Sequence, residues 1–121
     1  MMRILFVDDS PFERDHTPRE LHDQGHQVTH LAESLAGTRF ILANLADEFD
    51  VVILDVVLPD WEGLDDTRQM VADIQAAGKQ VILHTSHDYL EGLQRFHGVR
   101  IVPKHNGKLS ALTDALAELD T

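Results

Sequence analysis

ILFVDDSPFE, Ile4 to Glu13, runs four apolar residues straight into two adjacent carboxylates and then into a helix start. Asp8 and Asp9 repel each other at the point where a buried strand should end, so something must compensate their charge. Ser10, Pro11 and Glu13 supply an N-cap, a proline at the first helical position and a capping-box glutamate. The first helix therefore begins directly behind the acid pair, and Gly25 is its expected stop. Further along, VVIL (51–54), VIL (81–83) and VRIV (99–102) are again continuous apolar runs, while QVTHL (27–31) alternates. Continuous runs of this length suit strands buried on both faces, as in a parallel sheet.

Helical spacing fills the gaps between these runs. A second helix is expected over about Ser34 to Ala46, and a third from about Leu64 to Ala77, stopped by Gly78. A short fourth is expected over about Asp88 to Phe96, closed by Gly98. A terminal helix carries the stripe Leu109, Leu112, Ala115, Leu116 and Leu119, one buried face. Pro18 falls in the middle of the first helix, removes a backbone donor and is expected to kink or split it. The order is β-α five times over, without linker or repeat. It predicts one α/β domain over residues 1–121, a doubly wound five-stranded parallel sheet with strand order 2-1-3-4-5.

Bulk composition narrows the function. The 121 residues include no cysteine, which excludes disulfides, thiolate metal sites and a thiol nucleophile. MMRILFV is too short for a signal peptide, and no apolar stretch approaches a membrane span, so a soluble cytoplasmic protein without a membrane partner is expected. A formal charge of −11, with ten Lys and Arg scattered singly, argues against a nucleic-acid surface.

The polar residues gather at one edge. Asp8 and Asp9 end the first strand, Asp55 the third, Thr85 and Ser86 the fourth, and Lys104 the fifth. All are carboxyl ends of strands, the edge at which open α/β sheets bind ligands. With strands one and three adjacent, Asp8, Asp9 and Asp55 converge in one crevice, beside Thr85 and Lys104. A hard divalent cation, Mg²⁺, resolves three converging carboxylates. A carboxylate held beside Mg²⁺, an ammonium and a hydroxyl is arranged to accept a phosphoryl group, with Asp55 as nucleophile.

With VDDSP (7–11), VVILDVVLPDWEG (51–63), HTS (84–86) and VPK (102–104) in this order, the whole chain resembles the receiver domain of a two-component response regulator, of the stand-alone type. The resemblance implies that Asp8 and Asp9 hold Mg²⁺, Asp9 more directly, with the Val57 carbonyl as a further metal oxygen. It implies that Asp55 is the phosphoacceptor, that Thr85 binds the phosphoryl group and that Lys104 pairs with it. Pro59 and Gly63 match the loop behind the phosphoacceptor. The implied partners are a sensor histidine kinase or phosphotransfer protein as donor and an unidentified downstream protein as reader. The only chemistry implied is the domain's own phosphorylation and dephosphorylation.

Three positions depart from the family pattern. His105 follows Lys104 where most receivers carry a proline, Ile101 stands where many carry Tyr or Phe, and the segment from Thr85 to Lys104 is about one turn short. Such departures keep a second reading open, a phosphorylation-independent interaction module on the same scaffold. The eight histidines show no tight metal motif. His84, His87 and His105 are therefore read as polar surface residues, and Trp61, between Asp60 and Glu62, as part of an exposed loop.

Overall fold

The computed structural model describes residues 2–86, 96, 99–104 and 110–120. The apolar runs form strands β1 (Arg3–Val7), β2 (Gln27–Ala32), β3 (Val51–Leu54), β4 (Gln80–Thr85) and β5 (Arg100–Pro103), all parallel and ordered β2-β1-β3-β4-β5. Helices α1 (Pro11–Asp23), α2 (Leu35–Asn44), α3 (Leu64–Ala76) and α4 (Ser110–Leu119) lie between and after them. The helix expected over 88–96 falls almost wholly outside the described residues.

Strand alternation divides the core into two layers. Leu5, Val7, Val52, Leu54, Val81 and Leu83 face α2 and α3, meeting Leu35, Ile41, Met70 and Ile74. Ile4, Phe6, Val51, Ile53, Ile82 and Val102 face the other way, against Leu21 of α1 and Leu112, Ala115 and Leu116 of α4. Strands buried on both sides read as unbroken apolar runs for this reason. The helices stop where glycine permits it: Gly25 and Gly78, just past α1 and α3, sit at φ 90° and 78°, a region costly for other residues.

Three local expectations need correction. α1 runs as a single helix through Pro18, so the proline does not split it. Pro18 has no N–H to give the Arg14 carbonyl, but buried Thr17 and Leu21 anchor the turns on either side. The capping box is half formed. Ser10 Oγ accepts from the Glu13 N–H at 3.3 Å, but the Glu13 carboxylate takes the Thr17 hydroxyl instead of reaching back to Ser10. Finally, α2 ends at Asn44 rather than Ala46, and a 3₁₀ turn, Ala46–Glu48, replaces its last residues.

Candidate functional site

The sheet itself aims the carboxylates. Val7 pairs with Leu54, Leu54 with Leu83 and Leu83 with Ile101. One residue further along these strands stand Asp8, Asp55, His84 and Val102, a single row across the carboxyl edge. The ladder still holds there: Asp8 N–H donates to the Ala32 carbonyl and Asp55 N–H to the Val7 carbonyl, each at 3.0 Å. Asp8 and Asp55 are buried, Asp9 is exposed, and oxygens from all three carboxylates lie within 4.8 Å of one another. At roughly 5 Å and an effective dielectric near 20, each such pair repels by about 3 kcal/mol.

Lys104 reaches into this cluster from the end of β5. Its N–H donates to the Thr85 carbonyl at 2.7 Å. Its ammonium lies 2.8 Å from Asp8 Oδ2 and 3.3 Å from Asp55 Oδ2. The remaining oxygens find backbone donors: Asp8 Oδ1 accepts from Ser10 N–H at 2.9 Å and Asp55 Oδ1 from Val56 N–H at 2.8 Å. The start of α1 is thus tied to the acid pair by the very N–H that a complete capping box would have used. Arg14 adds a further tie, donating to the Asp8 carbonyl at 3.0 Å while its other arm meets Glu33 at 3.3 Å.

Among the described residues, the one ammonium beside the three carboxylates does not balance them. Burial pushes the Asp55 carboxyl up to about 6, with Lys104 opposing and the Asp8 charge adding to the rise. For Lys104, burial works against the charge, but Asp55 and Asp8 outweigh it and hold the ammonium above its ordinary range. Excess negative charge remains, in an all-oxygen setting that suits a hard divalent cation.

The other expected residues fall around this core. Thr85 is buried at the end of β4, where its carbonyl accepts the Lys104 N–H. Val57 follows Asp55 in the β3–α3 loop, half-buried, with its side chain against the core layer of α2 and α3. Ile101 packs against the same layer. His87 and His105 lie outside the described residues.

Two expectations change and one residue was overlooked. His84 is not a surface histidine: it is 5% exposed, its Nδ1 has no hydrogen-bond partner, and burial together with the Lys104 charge pushes its ring down to about 4. Alternation carried the information, since His84 lies two residues beyond the buried Ile82. Trp61 is half-buried rather than exposed, packed against the core, with its indole N–H donating to Thr67 Oγ1 at 2.9 Å. Asp60, read from the sequence only as a polar neighbour of Trp61, accepts from Leu35 N–H at 2.8 Å and Ala36 N–H at 2.9 Å, so the loop behind Asp55 caps α2.

Comparison with known proteins agrees with this fold. The family model described as "Response regulator receiver domain" matches residues 4–110. Protein PilH of Pseudomonas aeruginosa is 39% identical over 88 residues, covering 73% of this chain and 70% of PilH. The virulence transcriptional regulatory protein PhoP of Salmonella typhimurium is 35% identical over 69 residues, 57% of this chain but only 30% of PhoP. Among solved structures, the response regulator TrrA of Thermotoga maritima, in complex with Mg²⁺-BeF, superposes with a TM-score of 0.77 at 26% identity, over 98% of this chain and 99% of that one.

Proposed function

The chain belongs to the response regulator receiver family, and from that premise we propose that Asp55 accepts a phosphoryl group in a Mg²⁺-dependent reaction and that the phosphorylated chain signals by contact with another protein. One observation carries the reading above the others. The Asp55 carboxylate is buried beside two further carboxylates whose oxygens approach within 4.8 Å, with an ammonium 3.3 Å away.

The donor set fits Mg²⁺, because Asp8, Asp9 and Asp55 offer only hard oxygens. In this reading they would hold the ion, with the Val57 carbonyl as a further ligand. When bound, the ion supplies positive charge facing the transferring oxygens. The chain's own residues do the rest. An Asp55 oxygen forms the new bond to phosphorus as the bond to the leaving group breaks. That group is acetate when acetyl phosphate is the donor, and a histidine imidazole when a sensor kinase or phosphotransfer protein is. The Lys104 ammonium and the Thr85 hydroxyl meet the charge on the phosphoryl oxygens. The domain's chemistry in this reading is confined to gaining its own phosphoryl group from a donor and losing it to water. Residues 1–121 act as one receiver unit in this reading, and cytoplasmic residence goes with it. Among the described residues, no helix is long and apolar enough to cross a membrane.

Beryllofluoride, which mimics a phosphoryl group on a carboxylate, tests the proposal. Calorimetry should show saturable, Mg²⁺-dependent binding to the wild type and none to Asp55→Ala. Equal binding to both proteins, or none to the wild type, would contradict it.

A further inference from the structure

His84 shares a face and a row with the candidate site, yet nothing in the reaction just described uses it. It pairs in register with Val102, two residues before Lys104 on the neighbouring strand. The residue after it, Thr85, accepts the Lys104 N–H at 2.7 Å. Imidazole and ammonium therefore rise from adjacent strand ends on the side of the sheet that also presents Asp8 and Asp55. Among the described residues, two hydrogen-bonding capacities are left over there. An ammonium has three protons, and two are directed at Asp8 Oδ2 and Asp55 Oδ2. The ring's Nδ1 is buried without a partner.

A buried polar atom without a partner is costly, which makes this one informative. It is not a metal ligand in waiting. Among the described residues, the donor group gathered within 4.8 Å consists of Asp8, Asp9 and Asp55 and contains no imidazole nitrogen. Nor is the ring a cation, because burial and the nearby Lys104 charge keep it neutral. A neutral imidazole retains one lone pair, and lysine swings on a flexible four-carbon stem.

We propose that His84 is a positioning residue for phosphoryl transfer: its imidazole accepts a hydrogen bond from the Lys104 ammonium and holds that ammonium over the oxygens moving to Asp55. This rests on the phosphoacceptor reading of Asp55. Once the carboxylates turn to a metal ion, Lys104 loses part of its present anchorage at Asp8. The imidazole then takes over that anchorage, without adding charge to the site.

The test follows phosphorylation of the full chain by acetyl phosphate and Mg²⁺, with intact mass against time at several donor concentrations. His84→Leu fills the space but has no acceptor; His84→Gln keeps one. The leucine variant should lower the maximal rate by about tenfold, or about 1.4 kcal/mol, with little change in the half-saturating donor concentration. The glutamine variant should recover most of that loss. Both variants at the wild-type rate, or both equally slow, would overturn the role of His84 while leaving Asp55 as acceptor. Absence of any adduct on the wild type would instead remove the phosphoacceptor reading, and this proposal with it. Should the leucine variant fail to fold by circular dichroism, the wild-type His84 ¹⁵N shifts decide. They should move on phosphorylation as a ring nitrogen gains a proton donor; unmoved shifts overturn the proposal.

Discussion

Asp55 sits in surroundings that resist its own charge, and stability should record this. With its carboxyl raised to about 6 by burial, the folded chain binds a proton there that the unfolded chain releases near the ordinary carboxylate value. A raised folded pKa stabilises below the unfolded value, and that contribution is lost as pH rises through about 6. Asparagine resembles the protonated acid at every pH. Asp55→Asn should therefore be more stable than the wild type at pH 8, by about 3 kcal/mol at most. The gap should shrink through pH 6 and nearly vanish by pH 4. Urea midpoints for both proteins across this range would show it, and a gap independent of pH would contradict the assignment. The placement of Asp8, Asp9, Asp55, Thr85 and Lys104 at one sheet edge was legible in the sequence because each lies within two residues of the end of an apolar run. His84 was harder to read. A polar residue near a strand end looks solvated unless its alternation with Ile82 is followed one step further.

At the scale of elements, strands and helix starts were readable for a local reason. Burial on both faces leaves unbroken apolar runs, and Ser10 and Ser34 each cap through their own hydroxyls, at 3.3 Å to Glu13 N–H and 2.9 Å to Gly37 N–H. Long-range ties were not readable. Nothing near Asp60 in the chain indicates that its carboxylate reaches α2, 24 to 25 residues back, to take two free N–H groups. Those bonds outweigh partial desolvation and hold its carboxyl below the ordinary range. The continuity of α1 through Pro18 is the same kind of case, with tertiary anchorage at Thr17 and Leu21 overriding a local break. Asp60→Ala removes both bonds to the N-terminus of α2. It should cost about 1 kcal/mol, seen as a lower urea midpoint with an unchanged slope. A loss below about 0.3 kcal/mol would show that Ser34 alone suffices as a cap.

For the molecule as a whole, strand order decides what the site contains. Placing β3 between β1 and β4 brings residues 8, 55 and 104 together although they are far apart in sequence, and the ammonium at 2.8 Å from Asp8 closes the group across 96 positions. The formal charge of −11 adds a general negative field that favours cations over anions at this edge. A phosphoryl donor must therefore be met by positive charge fixed locally, which is the part assigned to Lys104 and Mg²⁺. The central claim is that Asp55 becomes an aspartyl phosphate there. Intact-mass measurement after incubation with acetyl phosphate and Mg²⁺ tests it most directly. The wild type should gain the mass of one phosphoryl group, no gain should occur when Mg²⁺ is chelated, and Asp55→Ala should gain none. An adduct of equal yield on Asp55→Ala, or no adduct on a folded wild type, would contradict the account.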